Sequence, residues 1–425
     1  NNYASLTAEE SVNIQAEDKT SAILVAGVAG GAGTAAVGLS NSTFISNNAV
    51  ISSIGENVKV KGKGKKAVIQ TLGADIATAG SWTFINRRGV FVSAVSDHAV
   101  RIFAAVGEGA GQVSVSGSGT LSILNDTVKA TIGEKATVDA GDSTSEADLS
   151  NPLTVSVFAA SKTTMWGVAG AISGAGTVGV GVGIDVGVLT KNVEASVNGT
   201  VTSLGDIIVQ ALSSEQIISV SASLGGAGTV GVSSSTGVYS LNLTTEAKVG
   251  SKAVLSAQGS LLVNAYDDTL AVLTAGSISS GGTVGVGTSL DISVSSKKVY
   301  ASIDKNAKVD ALGNGNGLVS FSGSYKEEYK TATTPENSDV DVKIIRPTFD
   351  PATAVDNTTG TITLETDPGY KTGDSVVYSS GLDKDDKENP GIGGLENGRS
   401  YYLIVDPAGA DGKTKIRLAL DYQNA

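Results

Sequence analysis

The sequence predicts an all-β fold, in which an elongated β-solenoid resembling a parallel β-helix precedes a small β-sandwich or barrel-like module. Three observations lead to this prediction. A Gly-rich signature occurs five times, an apolar strand pattern follows each copy at a fixed distance, and prolines concentrate in the C-terminal part. Repeats of this kind bury their apolar faces by stacking, so we expect one continuous core.

The Gly-rich signature marks the repeat unit. A similar strand segment begins 18 residues after the last position of each copy, although the distance between copies varies from 52 to 78 residues. Insertions must therefore fall outside a rigid unit. The five copies are Gly31-Ala32-Gly33-Thr34, Gly109-Ala110-Gly111-Gln112, Gly174-Ala175-Gly176-Thr177, Gly226-Ala227-Gly228-Thr229 and Gly281-Gly282-Thr283.

The strand after each signature has two unequal faces. Between Val178 and Val188, Val and Ile occupy every second position, and glycines fill most positions between them. This period of two predicts a strand with one branched face and one nearly bare face, which a second sheet can approach closely. Further short strands follow over 193–201 and from Ile207, with a turn at Gly205. A stack of antiparallel hairpins has the same period and stays open as an alternative.

The chain divides into an array and a terminal module. We expect the array over 1–325, a linker over 326–340 and a compact β-module of five or six strands over 341–425, because prolines become frequent from Pro347 onward. If each repeat contributes two to three coils, the array advances by about 50 to 70 Å at about 4.8 Å per strand layer.

Composition narrows the function classes. The net charge of -12 disfavours an extended nucleic-acid surface, and the absence of Cys removes disulfides and thiolate metal sites. The uncharged run 163–184 is long enough for a membrane helix, but its period of two favours a strand, so we expect no membrane-spanning segment. The start of the chain matches the tail of a repeat, so we expect a longer array.

The repeat resembles a known class of proteins. The sequence pattern is similar to the β-strand repeats of very large bacterial exoproteins, notably the leukotoxin-like filamentous adhesins. It consists of GAGTVGVGV at 174–182, VEASV at 193–197 and GDIIVQA at 205–211. The resemblance extends over 1–325, and the Gly-Asp-x-Val-x-Tyr, Ile-Gly-Gly-Leu and Tyr-Tyr segments of the C-terminal part resemble a small module of the same proteins. It implies export to the cell surface, an outer-membrane-associated location and a role in attachment, with no catalytic residues.

One acidic cluster is a candidate metal site. Asp383, Asp385, Asp386 and Glu388 supply carboxylate oxygens of the kind that Ca²⁺ prefers. The cluster lacks the glycine and the distant glutamate of an EF-hand loop, and two lysines partly neutralise it, so a solvated loop is the favoured interpretation. Ca²⁺ is the only cofactor that the sequence suggests.

Other functional candidates have simpler structural explanations. His98 is the only histidine and is expected to be structural. Six aromatic rings are candidates for stacking on sugars, although packing between strands is the default expectation. They are Trp82 and Trp166 in the array and Tyr370, Tyr378, Tyr401 and Tyr402 in the C-terminal part. A lysine run fits either a contact with anionic glycan or lipid, or an exposed edge strand protected by its charges; the run is Lys59, Lys61, Lys63, Lys65 and Lys66.

The sequence thus favours a non-enzymatic, structural or adhesive segment of a large secreted or cell-surface bacterial protein. Expected partners are neighbouring repeats of the same chain and a host-surface protein or glycan. A β-helical polysaccharide-degrading enzyme is the main alternative, and it requires several carboxylates in one exposed groove. A fragment of a secreted toxin or surface-layer protein is a third.

Overall fold

The protein is built almost wholly from strands. The computed structural model describes residues 4–65, 68–73, 82–142, 145, 152–313, 319–323, 351–364, 370, 372–378, 392–396, 399–406 and 413–420.

Three parallel sheets form the array. The short sheet contains β1 (Ser5–Ala8), β4 (Lys59–Gly62), β8 (Thr137–Ala140), β11 (Thr200–Ser203), β14 (Val254–Ala257) and β17 (Lys308–Ala311). The incoming sheet contains β2 (Val12–Ala32), β6 (Thr83–Ala110), β9 (Leu153–Ala175), β12 (Ile207–Ala227), β15 (Leu261–Gly281) and β18 (Val319–Gly323). The outgoing sheet contains β3 (Ala35–Ile54), β7 (Val113–Ile132), β10 (Val178–Val197), β13 (Val230–Val249) and β16 (Val284–Ile303). In addition, β5 (Ile69–Gly73) pairs with the start of β6 in antiparallel orientation.

Each repeat forms one coil, which runs through a short strand, an incoming strand, the Gly-rich turn and an outgoing strand. Consecutive copies pair directly, so that Val180 lies between Val115 and Val232. The parallel solenoid is therefore confirmed, and the stacked antiparallel hairpins are wrong for the array. The expectation of two to three coils per repeat is also wrong. Five outgoing strands advance the axis by only about 19 Å, whereas one 20-residue strand extends over about 66 Å.

The coil explains the constant spacing in the sequence. Every outgoing strand has 20 residues, which fixes the distance from each Gly-rich turn to the strand segment that ends it. The longer repeats carry their additional residues between a short strand and the next incoming strand, and β5 belongs to the first of these insertions. The expectation that insertions fall outside a rigid unit is confirmed.

The core changes character along the coil. Where the three sheets meet, it is aliphatic and includes Val138, Val157 and Val197. In the half of each coil next to the Gly-rich turn, called the turn half, the two long sheets face each other mainly through Gly, Ala and Ser. A Cβ at Gly181 would lie 2.6 Å from the Leu224 carbonyl oxygen, and a Cβ at Gly183 would lie 2.9 Å from that of Ala222. The expected close approach on the bare face is confirmed.

The C-terminal residues form a separate antiparallel sheet. A short helix, α1 (Pro351–Ala354), precedes its strands. Ile362, Leu403 and Ile416 form the centre of its small core. Over its described residues the module has five strands, and the expected linker 326–340 lies outside the described residues. The strands are β19 (Val355–Asp356), β20 (Thr361–Leu364), β21 (Ser375–Val377), β22 (Ser400–Asp406) and β23 (Thr414–Ala419), and their order in the sheet is β19-β20-β23-β22-β21.

Candidate functional site

The outgoing sheet presents an apolar surface to the outside. In β10 the glycines point inward and the branched residues point outward, so that Ile184 is 42% exposed. We define the valine face as the first six outward positions of each outgoing strand, taken at every second residue. These positions begin at Ala35, Val113, Val178, Val230 and Val284.

The valine face carries no charged residue. Outward-pointing charged residues occur only farther along the outgoing strands, in the half of the coil away from the Gly-rich turn. Most side chains of the valine face are Val, Ile or Leu, and the remainder are Ala, Gly, Ser, Thr or Asn. Register partners stack in rows along the axis, such as Val178, Val230 and Val284. An exposed apolar surface of this extent indicates a site of interaction.

The opposite face of the turn half is also largely apolar. On the incoming sheet, Ile172, Leu224 and Ile278 point outward and are exposed. This face differs from the valine face in one respect, because Arg101 lies on it with its guanidinium carbon 5.3 Å from the centre of the Trp166 ring. A cation resting on an aromatic ring is stabilised by the quadrupole of that ring.

A row of polar side chains, called the polar ladder, runs through the interior along the solenoid axis. In its first part, the buried carboxylate of Asp126 accepts hydrogen bonds from Asn48 at 3.1 Å, from Ser96 at 3.3 Å and from Ser161 at 2.6 Å. The buried His98 lies beside it, with Nε2 3.2 Å from the Asp18 carboxylate. These contacts join the first three coils, and His98 lies fully buried among them.

The ladder continues through Lys191. Its Nζ donates to the carbonyl oxygen of Ser161 at 3.1 Å and to Glu215 Oε1 at 2.7 Å. Burial alone would raise the pKa of Glu215, but the adjacent Lys191 ammonium, together with hydrogen bonds from Ser213 and Thr269, holds that pKa below its usual value. In the next coil Thr269 donates to Glu215 at 2.8 Å.

The last step of the ladder is a second ion pair. Lys297 Nζ lies 2.6 Å from Asp267 Oδ1 and donates to Thr269 at 3.0 Å. Burial and the nearby Glu215 charge raise the pKa of Asp267 despite this ammonium. The ladder therefore links all five coils through contacts that are local in space and distant in sequence.

Another buried carboxylate, separate from the polar ladder, lies in the turn half. Asp185 accepts hydrogen bonds from Thr120 at 2.5 Å, Ser219 at 2.5 Å and Tyr239 at 2.9 Å. Burial raises the pKa of Asp185, and burial likewise raises the pKa of the Tyr239 hydroxyl. Three hydroxyls from different strands surround this carboxylate, so it joins neighbouring coils.

The candidate metal residues Asp383, Asp385, Asp386 and Glu388 lie outside the described residues. Within the part of the chain that the structure does describe, no group of three or more His, Asp or Glu side chains is arranged to hold a metal ion.

The lysine run does not lie on an edge strand. β4 pairs with β1 on one side and with β8 on the other, because the short sheet continues in both directions. Lys61 is 3.3 Å from Asp142, and Lys63 is 2.7 Å from Glu9. The interpretation of β4 as a protected edge strand is therefore wrong. Lys61, Lys63 and Lys65 form ion pairs with acidic residues of neighbouring coils, and Lys66 lies outside the described residues.

The aromatic candidates are mostly engaged in packing. Tyr378 and Tyr401 are buried, and their hydroxyls accept hydrogen bonds from the backbone NH groups of Ile392 at 2.8 Å and Glu396 at 2.9 Å. Trp82 packs beside the cluster that includes Phe158. The default expectation of strand packing is confirmed for these rings.

Two features escaped the sequence-based reasoning. The exposure of the valine face was not predicted, because the approach of a second sheet to the glycine face does not tell whether another layer covers the branched face. The polar ladder did have a signal, since its outgoing-strand members fall at one position of the aligned repeats. These members are Asn48, Asp126, Lys191 and Lys297.

Among the described residues, none of the helices has the length and apolar character needed to cross a membrane. In comparisons with known proteins, no family model, no curated protein and no solved structure matches this chain.

Proposed function

We propose that this chain is a non-catalytic structural segment of a large secreted or cell-surface bacterial protein and serves as part of an adhesive stalk. The observation that carries the proposal is the register of the array. Strands of each repeat pair residue for residue with those of the next across all three sheets. Such an array transmits load along its axis through a continuous set of parallel hydrogen bonds.

The interior polar groups support this role. Asp126, Asp185, Lys191 and Glu215 are buried and hydrogen-bonded to side chains or backbone of neighbouring coils. Catalytic carboxylates must instead reach a substrate in an accessible groove. These four residues are placed to hold coils together, and this favours the structural class over a polysaccharide-degrading enzyme.

The proposed external partner is a host-surface protein or glycan. A glycan panel, assayed for both retention of the chain and release of reducing ends, separates the classes. Retention without product release supports the adhesive role, whereas turnover would show that the chain is an enzyme.

The stalk itself is tested by pulling the array from its ends. We expect coil-by-coil unfolding, with a length gain of about 180 Å for each coil of 52 to 54 residues. The variant Lys191→Met should lower the force of one step, whereas Leu224→Asp, on the outer surface, should leave all steps unchanged. Extension at negligible force would contradict a stalk.

A further inference from the structure

The valine face is too large and too apolar for an ordinary free surface. With five strands about 4.8 Å apart and eleven residues of about 3.3 Å each, it measures roughly 24 by 36 Å, or about 860 Å². The largest apolar patch on a typical monomer is about 300 to 600 Å². A standard protein interface buries about 800 Å² on each partner. The valine face therefore has the area of one half of a stable interface.

Several of the charges that border the face form ion pairs on the same surface. Lys129 Nζ lies 2.8 Å from Glu194, and Lys248 Nζ lies 3.1 Å from Asp304. When two copies of this face meet, no row of like charges opposes another row. The surface is thus electrostatically compatible with itself.

We propose that the valine face binds the same face of a second copy of this chain to form a two-fold symmetric dimer. The two outgoing sheets pack face to face at about 10 Å, as in a β-sandwich. The same rows of branched side chains are present on both surfaces, so apolar side chains meet apolar side chains across the contact. This inference goes beyond the attachment role, because it holds for the chain whether or not glycan binds.

Two symmetry axes overlap the apolar surfaces completely, and both pass through the centre of the valine face. An axis parallel to the strands also sets charged half against charged half, whereas an axis parallel to the solenoid points the charged halves of the two copies in opposite directions. In both arrangements Ile184, at the centre of β10 and of the face, is close to the axis. The contact is isologous and closes at two copies.

The opposite apolar face is a less suitable partner surface. It carries Arg101, whose charge would be removed from water in a face-to-face contact. Its exposed leucine provides a matched control, because Leu224 is 38% exposed and Ile184 is 42% exposed. Both side chains lie on the outer surface, so neither substitution creates a cavity in the core.

The test is the oligomeric state of the chain by sedimentation equilibrium. We expect a dimer for the wild type and for Leu224→Asp, and at least tenfold weaker dimerisation for Ile184→Asp, because two carboxylates would meet near the axis. Far-UV circular dichroism confirms that each variant is folded. Since the chain has no cysteine, Ile184→Cys should also give a dimer with a short bis-maleimide, whereas Leu224→Cys should not.

Three outcomes overturn the proposal. A wild type that is monomeric at all concentrations has no such interface. A dimer that survives Ile184→Asp uses another surface, such as the ends of the array. Flotation with phosphatidylcholine vesicles that requires Ile184 in a monomeric protein would instead assign the face to lipid. Glycan binding is measured separately, so failure of the dimer and failure of the attachment role are distinguishable.

Discussion

Lys191 and Glu215 form an ion pair in the centre of the array, with Nζ 2.7 Å from Oε1 and both side chains fully buried. Lys191 lies on the outgoing strand of one coil and Glu215 on the incoming strand of the next. Each is further hydrogen-bonded, so the pair satisfies the condition under which buried charges are tolerated. It is the central link of the polar ladder.

Removal of one partner should be costly. We expect Lys191→Met to lower the free energy of unfolding by about 3 to 5 kcal/mol, because Glu215 is left as an uncompensated buried charge. The double variant Lys191→Met/Glu215→Leu should recover much of this loss. Urea unfolding followed by circular dichroism measures both.

A surface ion pair provides the matched control. Lys63 lies 2.7 Å from Glu9, the same distance as in the buried pair, but Glu9 is largely exposed. We expect Lys63→Met to shift the urea midpoint far less than Lys191→Met, because solvent screens the surface charges. Equal shifts would show that burial does not determine the strength of these pairs.

The close approach of the two long sheets predicts opposite effects for two glycines. A Cβ at Gly181 would lie 2.6 Å from a backbone oxygen, whereas a Cβ at Gly174 meets nothing within 4 Å. We expect Gly181→Ala to destabilise by about 1 to 3 kcal/mol through overpacking. Gly174→Ala should be neutral or stabilising by up to about 1 kcal/mol. Thermal unfolding compares them, and equal melting temperatures would contradict the spacing of the sheets.

Asp185 should make stability decrease as the pH rises. Because burial raises its pKa above the usual 3.8, the folded protein holds this proton at pH values where the unfolded chain has lost it. The contribution of the group to the free energy of unfolding is therefore present below pH 3.8 and lost as pH rises through the raised pKa. Asp185→Asn should remove this part of the slope. The slope is obtained from urea unfolding at a series of pH values, and an unchanged slope would contradict the assignment.

Much of the fold was predictable because the repeats are regular. The period of two near Val178 predicted the strands, and the 18-residue spacing is constant because every outgoing strand has the same length of 20 residues. The number of coils was not predictable in the same way. Typical strands have five or six residues, and with such strands a repeat of 52 to 54 residues is long enough for two to three coils, whereas here two strands of about 20 residues occupy most of it.

The candidate sites were less predictable. An alternating strand such as β10 shows two faces in sequence, but burial of the glycine face depends on how closely the second sheet approaches. The polar ladder likewise depends on contacts between sheets, since Lys191 and Glu215 are 24 residues apart and belong to different coils. A single coil contains only one member of that pair.

The central claim is that every repeat is one coil, and a distance across the array tests it most directly. Val37 and Val286 occupy the same position in the first and fifth outgoing strands, and both side chains are exposed. Spin labels on Val37→Cys/Val286→Cys, diluted with unlabelled protein, should report backbones about 19 Å apart, which is four strand spacings. A separation of about 40 Å or more, as two or three coils per repeat require, would contradict the account.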